Sequence, residues 1–274
     1  MHYEHVYRLG HSWNKIVTVS NHILSEIVKL NQSLGDKIKC IHYGVPVREE
    51  PLKFKNKIDK NKKMSLIYTG RFIQYQKRIH DYVDLAWALY NEGIDYELVM
   101  VGDGEEYAKI RDKLMPLINE GVVVLTGRLG HEKMYKLYNR ADMFLLLSDF
   151  EGLSLSLLES MERGCVPIVY EMDSGIPELI KNKDNGFIIP HNDINAVVSL
   201  INELSGNKEL LREMGMKARD SIVREFSENL MIDRYVELIE DILGSMDGIY
   251  TRQGILPFKD KIAPPPQLIM RMQK

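Results

Sequence analysis

Over residues 63–190, short uninterrupted stretches of hydrophobic residues alternate with longer stretches in which hydrophobic residues recur every three to four positions, as in a helix. The short runs predict buried parallel strands, because strands covered on both faces are apolar at almost every position. The predicted strands are Met64–Thr69, Tyr96–Val101, Val122–Leu125, Met143–Leu147, Val166–Tyr170 and Phe187–Ile189. Between them, apolar residues recur at the spacing of one helix face, as at Ile79, Val83 and Ala86. This alternation predicts an α/β fold with a doubly wound parallel sheet.

Further elements are predicted on both sides of this sheet. Lys15–Val19 and Ile38–His42 predict short strands, and a helix from about Ile23 to Leu30 separates them. After the sheet, apolar residues at helical spacing predict three more helices. They cover Ile194–Leu204, Lys208–Phe226 and Glu228–Leu243. We therefore expect the sheet to be followed by extra C-terminal helices.

Composition changes where the chain leaves the sheet region. Residues 53–63 carry six lysines and one aspartate with little apolar content, so we interpret residues 51–63 as a solvated, lysine-rich linker. From Gly244 the periodic pattern gives way to glycine and proline, including three consecutive prolines from Pro264. We interpret residues 244–274 as a tail.

Charge and targeting signals narrow the class of protein. The chain has 274 residues with 36 Lys and Arg against 39 Asp and Glu, and this net charge of −3 argues against a nucleic-acid partner. No apolar run approaches the ~18 residues that span a bilayer, and residues 1–20 lack a secretory pattern. Cys40 and Cys165 have no metal or redox spacing. We expect a cytoplasmic protein, and the basic linker and tail permit peripheral attachment at the inner face of a membrane.

The most informative stretch for chemistry follows the strand Met143–Leu147. There the chain leaves the carboxyl end of a buried strand and enters a helix, which is where open α/β sheets bind their ligands. Gly152 allows close backbone approach, and the amides after it lie at a helix N-terminus suited to phosphate. Glu151 and Glu159 bracket this turn and offer acceptors to sugar and ribose hydroxyls. The alternatives are a surface acid at Glu151 and a capping box formed by Ser156 with Glu159.

A second candidate feature follows the strand Met64–Thr69. Gly70 and Arg71 come at the end of this strand, and Lys77 and Arg78 precede the next helix. Two fixed cations at neighbouring strand ends can hold a diphosphate and stabilise a leaving nucleotide without a metal. The alternative for these residues is a basic surface loop.

Other classes of site find little support. Gly102 and Gly104 also follow a strand, but Tyr107 occupies the position of the third glycine of a dinucleotide fingerprint. The eight histidines are scattered, so we predict no metal site. The chain also lacks the serine-hydrolase motif and the lysine-containing phosphate loop.

Taken in order along the chain, these motifs resemble those of the retaining glycosyltransferase family 4, which has the two-domain GT-B architecture. The strongest element is the pair of glutamates eight positions apart, Glu151 and Glu159. Shorter matching motifs are Ile16–Ser20, Ile41–Val45, Val101–Gly104, Val124–Gly127, Gly164–Val169, Ser174–Glu178 and Asn185–Gly186. The likeness covers about residues 14–243, and the ordered set is specific although no single motif is.

The resemblance implies a division of the chain into domains. Residues 64–243 would form a Rossmann-like, nucleotide-sugar donor-binding domain. Residues 1–50 would be the remnant of an N-terminal acceptor domain together with the crossover. The rest of the acceptor side would then precede Met1 or belong to a separate N-terminal domain or partner chain.

The resemblance also implies roles for individual residues. Arg71 and Lys77 would hold the donor diphosphate. Glu151 would contact the transferred sugar, and Glu159 the nucleotide ribose. Arg78 is an alternative to Lys77, because the family lysine often follows its arginine by five positions and here follows by six. The remaining donor-binding positions are Gly70, Gly102, Gly127, Arg128, Gly152, Leu153 and Ser154.

The implied activity is transfer of a sugar, with retention, from a UDP- or GDP-linked donor to a glycan, lipid-linked or small acceptor. The resemblance implies that neither a metal nor another cofactor takes part. Three alternatives remain: a nucleotide-sugar-binding partner subunit that is inactive alone, a truncated enzyme fragment, and a sugar-nucleotide epimerase of the same architecture. Sugar transfer, binding without turnover, or epimerisation of the free donor would separate these functions.

Overall fold

The computed structural model describes residues 14–49 and 63–245. The predicted linker, apart from Lys63, and the tail after Ser245 lie outside the described residues. The chain divides into two compact units after Met231. In the second unit, the described part is the remainder of one helix. The sheet and the candidate site belong to the first unit.

Two short strands come before the main sheet. They are β1 (Ile16–Thr18) and β2 (Ile38–Cys40), which pair in parallel with Val17 opposite Lys39. The helix α1 (Asn21–Leu30) and a 3₁₀ helix (Gln32–Lys37) connect them. Buried side chains of Ile27 and Leu34 cover this pair of strands. The predicted strand–helix–strand segment is therefore present, with shorter strands than expected.

The main sheet has six parallel strands in the order β5-β4-β3-β6-β7-β8. The strands are β3 (Met64–Thr69), β4 (Tyr96–Val101), β5 (Val123–Leu125), β6 (Met143–Leu146), β7 (Val166–Tyr170) and β8 (Phe187–Ile189). In the centre, Ile67 lies opposite both Val99 and Phe144. The order makes the sheet doubly wound, with its direction of winding reversing between β3 and β6. The predicted fold class is confirmed.

Helices connect the strands and continue after them. They are α2 (Gln74–Lys77), α3 (Ile79–Asn91), α4 (Tyr107–Asn119), α5 (His131–Tyr138), α6 (Leu155–Glu162), α7 (Ile176–Leu179), α8 (Ile194–Ser205), α9 (Lys208–Glu225) and α10 (Glu228–Ser245). The three predicted C-terminal helices are present within two residues of their expected ends. Within the described parts of the chain, no helix is both long and apolar enough to cross a bilayer.

Buried tyrosines connect the core to the strand ends. Tyr82, on α3, is fully buried, and its hydroxyl accepts a hydrogen bond from the Leu147 amide and donates one to the Leu145 carbonyl. Tyr68, on β3, donates from its hydroxyl to the carbonyl oxygen of Arg71 at 2.7 Å. Because a buried hydroxyl requires a partner, these bonds hold the ends of β3 and β6 in place.

Candidate functional site

The carboxyl ends of β3 and β6 meet where the order of the sheet reverses. Open α/β sheets bind ligands in the crevice outside such a point, because the two flanking loops turn away in opposite directions. A cleft of about 810 Å³ lies there. Its walls include these predicted site residues: Gly70, Arg71, Lys77, Gly102, Arg128, Glu151, Leu153, Ser154 and Glu159. The structure thus brings together residues predicted from four separate strand ends.

An ion pair connects the two loops that flank this point. The Nζ atom of Lys77 lies 2.5 Å from Oε1 of Glu151, and both side chains are about nine-tenths buried. The Asp149 amide donates to the Gln76 carbonyl at 2.8 Å, and the Gln76 side-chain amide donates to the Phe150 carbonyl at 3.3 Å. These bonds fix the Lys77 and Glu151 side chains opposite one another inside the cleft.

The two arginines of the β3 loop have different surroundings. The Arg71 side chain is exposed in the cleft, where it donates to the Gln76 Oε1 atom at 2.7 Å. Arg78 does not line the cleft; its guanidinium donates to Asp81 at 2.9 Å and to Asp149 at 3.1 Å. Arg71 is therefore available to an anion in the cleft, whereas Arg78 is engaged with two carboxylates.

The turn after β4 requires glycine. Gly102 has a φ of +139°, and a Cβ atom at this position would lie 1.8 Å from the Gly70 carbonyl oxygen. Its amide donates to the Gly127 carbonyl at 3.0 Å, which links the ends of β4 and β5. Gly102 therefore allows the backbones of neighbouring strand ends to approach closely. Gly127 itself does not line the cleft, although the next residue, Arg128, does.

The helix α6 starts earlier than the predicted capping box requires. Ser154 is its N-cap residue and Leu155 its first residue, so Ser156 lies inside the helix. The Ser154 hydroxyl lies 3.1 Å from the Ser156 hydroxyl and makes no capping bond to a backbone amide. The capping-box alternative for Glu159 is therefore wrong. Gly152, two residues before the cap, lies outside the cleft lining.

Glu159 presents a carboxyl group to the cleft from the second turn of α6. Burial raises the pKa of Glu159 above its ordinary value of 4.5, although His131 and Tyr138 act in the opposite direction. The hydroxyl of Tyr138, which also lines the cleft, lies 3.0 Å from the Thr69 hydroxyl. Burying the ionised Glu159 carboxylate is unfavourable, and a hydrogen bond donated by a ligand hydroxyl would offset that cost.

Several residues in the cleft walls were not expected from the sequence. These are Tyr43, Gln76, Asp103, Met134, Tyr138, Leu155 and Ser156. Gln76 had a visible signal, because it stands directly before Lys77. Tyr43 had only a weak one, because it lies in the crossover and far from the other cleft residues along the chain.

Among the described residues, one group has the composition of a metal site. The potential ligand atoms of Cys40, His42 and Glu178 lie within 4.8 Å of one another. The Nε2 atom of His42 lies 2.7 Å from Oε2 of Glu178, and that oxygen also accepts hydrogen bonds from Asn21. These hydrogen bonds explain why the three side chains lie together without a metal, because they already occupy the carboxylate oxygen that a metal would bind.

Comparison with known proteins identifies the family of this chain. The profile of the family described as "Glycosyl transferases group 1" matches residues 48–221. The chain belongs to this family of glycosyltransferases.

Curated relatives are longer proteins, of which this chain matches only a part. N-acetyl-alpha-D-glucosaminyl L-malate synthase of Bacillus anthracis is 30% identical over 86% of this chain and 62% of its own length. Amylovoran biosynthesis glycosyltransferase AmsK of Erwinia amylovora is 25% identical over 75% of this chain and 51% of its own length. The chain thus spans about half to three-fifths of the length of these relatives.

Solved structures share the fold at lower identity. A point mutant of S. aureus TarM, in complex with fondaparinux, alpha-GlcNAc-glycerol and UDP, superposes with a TM-score of 0.72 at 21% identity, covering 84% of this chain and 44% of TarM. Anabaena Alr3699/HepE in complex with UDP-glucose superposes with a TM-score of 0.70 at 16% identity, covering 83% of this chain and 64% of HepE. At these identities, the likeness establishes the fold alone.

Proposed function

We propose that the chain carries the donor site of a retaining, family 4 glycosyltransferase that uses a nucleotide diphosphate sugar. The observation that carries this proposal is the cleft between β3 and β6, where Arg71, Lys77, Glu151 and Glu159 converge. Two cations, two carboxylates and the start of a helix match the chemistry of a sugar diphosphate, which has anionic oxygens between two polyhydroxyl rings.

The proposed roles follow from the positions of these groups. Arg71 and Lys77 neutralise the diphosphate and stabilise the charge that develops on it as the glycosidic bond breaks. Glu159 accepts hydrogen bonds from the ribose, and Glu151 orients the transferred sugar while it pairs with Lys77. With two side-chain cations at the phosphates, the mechanism requires no metal. The leaving phosphate oxygen takes the acceptor proton, and the sugar is transferred with retention.

The proposed donor is a UDP-sugar, with a GDP-sugar as the second candidate. Solved structures of similar fold hold UDP or UDP-glucose, which supports a uridine nucleotide. The acceptor is proposed to be a sugar of a glycan, a lipid-linked sugar or a small hydroxyl compound. The relatives' names support this range, because they include an N-acetyl-alpha-D-glucosaminyl L-malate synthase and an amylovoran biosynthesis glycosyltransferase.

A nucleotide titration tests the proposal. Melting of the full chain is followed in rising concentrations of UDP, GDP and ADP. A ligand at a hundred times its dissociation constant adds about 2.7 kcal/mol to the free energy of unfolding, which raises the melting temperature visibly. We expect a shift with UDP that falls strongly in Arg71→Ala, because that variant loses a charged partner of the diphosphate worth about 1.5–3 kcal/mol.

Two variants complete this experiment. Glu159→Gln should weaken UDP binding while leaving the free chain at least as stable, because it removes a carboxyl that burial disfavours in its charged form. That gain should grow as the pH rises from about 4.5 and level off once the carboxyl of the folded chain is fully ionised, since only the ionised carboxyl bears the cost. Arg224→Ala, at an exposed arginine on α9, is the control and should bind UDP as the parent does. If Arg71→Ala also matched the parent, the assignment of this cleft would be wrong.

A further inference from the structure

The Glu178 carboxylate holds the start of a helix that lies more than 150 positions earlier in the chain. Glu178 Oε2 accepts from the Asn21 amide at 3.0 Å and from its side-chain amide at 2.7 Å. Glu178 Oε1 accepts from the His22 amide at 3.0 Å. The remaining amide of the first turn, at Ile23, is bound by the Ser20 hydroxyl at 3.2 Å. Glu178 therefore supplies most of the N-terminal capping of α1, where a negative charge is also favoured.

The same carboxylate binds the crossover. His42 Nε2 lies 2.7 Å from Glu178 Oε2, and the His42 ring packs edge-on against Phe226. Burial raises the pKa of Glu178, but the hydrogen bonds from His42, Asn21 and His22 together outweigh it and keep the pKa below the ordinary value. Glu178 is therefore ionised at neutral pH and acts as a charged connection between three segments of the chain.

The start of α1 packs directly against the loop that carries Glu151. We call residues 149–154 the donor loop. A Cβ atom at Gly152 would lie 3.5 Å from Cδ1 of Ile23 and 3.7 Å from Cγ2 of Val19. On the other side, the Gly175 amide donates to the Gly152 carbonyl at 3.0 Å. Gly152 is thus enclosed between the α1 turn and the segment that leads to Glu178.

There is no room for this arrangement to shift without disturbing the donor loop. A Cβ atom at Gly175 would lie 2.6 Å from Cβ of Ser20 and 2.8 Å from the Gly152 carbonyl oxygen. Three backbone segments therefore meet here at close contact. Glu151 directly precedes Gly152 in the donor loop, and its carboxylate pairs with Lys77 inside the cleft. The position of Glu151 consequently depends on where the α1 turn is held.

We infer that Glu178 is a positioning residue for the donor loop: by holding the α1 turn against Gly152, it keeps Glu151 opposite Lys77. The inference rests on the proposed function, because it assigns the importance of the loop to donor binding. Glu178 does not line the cleft and reaches the donor loop through the contacts of α1, Gly152 and Gly175; it also binds His42, which directly precedes the cleft residue Tyr43. It is thus a determinant of donor affinity that lies outside the donor site.

The test compares Glu178→Ala with Asp193→Ala in the full chain. Asp193 makes the same type of bond, from a side-chain oxygen to the Ala196 amide at 2.9 Å at the start of α8, and it does not line the cleft. The readouts are UDP and UDP-glucose affinity by calorimetry, and amide hydrogen exchange of residues 149–154 in the free chain. Glu178→Gln keeps one acceptor oxygen and serves as the conservative variant.

We expect Glu178→Ala to speed exchange in the donor loop and to weaken UDP-glucose binding by about three- to tenfold. Glu178→Gln should fall between this variant and the parent. Asp193→Ala should change neither quantity, even where it lowers the melting temperature as much. Unchanged loop exchange in Glu178→Ala would overturn the inference, and so would an equal loss of affinity in Asp193→Ala. Failure of the parent to bind either nucleotide would instead contradict the proposed function, while the exchange measurement would still decide the role of Glu178.

Discussion

Replacing Glu162 by alanine is expected to lower the free energy of unfolding by about 3–5 kcal/mol, which is the usual effect of breaking a buried ion pair. Glu162 is the last residue of α6, and its side chain is completely buried. Its Oε1 atom accepts hydrogen bonds from the Arg219 guanidinium at 2.9 Å and from the Arg48 amide at 3.1 Å. Such a carboxylate is stable in the interior only because charged and polar donors surround it.

The cost arises mainly from the groups that the substitution leaves behind. The Arg163 guanidinium, also buried, lies 3.4 Å from Glu162 and donates to the Asn139 side chain at 2.8 Å. Arg219 retains its bonds to the Glu162 and Arg48 carbonyls but loses its carboxylate partner. Two arginines would then keep their charge beside a new cavity. A buried charge without a counterion is far more costly than a lost neutral hydrogen bond.

Urea denaturation of the parent and variant measures this effect. The matched control is Asp184→Ala, which removes a carboxylate from an exposed pair with Lys217 and should leave the denaturation midpoint nearly unchanged. A loss below about 1 kcal/mol in Glu162→Ala would show that water or rearranged side chains replace the carboxylate at little cost. In that case, the network would contribute little to the stability of the junction of α6, α9 and the crossover.

The second large effect is expected at Lys77. Lys77→Ala leaves Glu151 buried without its counterion, so this variant should lose both stability and donor binding. Adding Glu151→Gln should recover stability, because it removes the uncompensated charge, but it should not recover binding of the diphosphate. The two substitutions should therefore show a coupling free energy of about 1–3 kcal/mol for unfolding.

A double-mutant cycle separates these two effects. Unfolding free energies and UDP affinities are measured for the parent, Lys77→Ala, Glu151→Gln and the double variant. Additive unfolding energies would show that the pair contributes nothing beyond its separate members. Recovery of UDP affinity in the double variant would contradict the proposed role of Lys77 as a partner of the diphosphate.

Periodicity was sufficient to predict the sheet. Solid apolar runs marked the six strands, and four of them, including β3 and β7, have the predicted bounds. The register and order of strands depend on contacts far apart in sequence, but the expected alternation of strand and helix, together with the rule for doubly wound sheets, restricted them strongly. The predicted elements were wrong only at their ends, as where α1 starts at Asn21 rather than near Ile23, but short helices such as Gln32–Lys37 and Ile176–Leu179 were not predicted.

The site was predictable in part, because short motifs place charged residues directly after predicted strands. Arg71, Lys77, Glu151 and Glu159 all line one cleft, although their role in binding a donor stays a prediction. The predicted capping box at Ser156 was wrong, because the helix begins two residues earlier, with Ser154 as its N-cap residue. A serine and a glutamate separated by two residues also occur inside helices, so the motif alone does not fix where a helix begins.

What the sequence could not indicate are the long-range connections. Glu162 reaches Arg48 and Arg219 across more than fifty positions in each direction, and Glu178 reaches Asn21 across 157. No spacing rule relates such residues, since their proximity exists only once the sheet and helices have packed. The ion pair between Arg78 and Asp149 belongs to the same class.

If UDP binds in the cleft between β3 and β6, adding UDP to the full chain should slow amide hydrogen exchange at that cleft. We expect slower exchange in the loops at the cleft, at residues 70–77, 101–104, 127–129 and 151–156. A smaller cavity of about 210 Å³, lined by Ser65, Glu97, Val124 and Arg140 among others, lies elsewhere in the same unit. Protection confined to that cavity, or no protection in the four loops at saturating UDP, would contradict UDP binding in the cleft between β3 and β6.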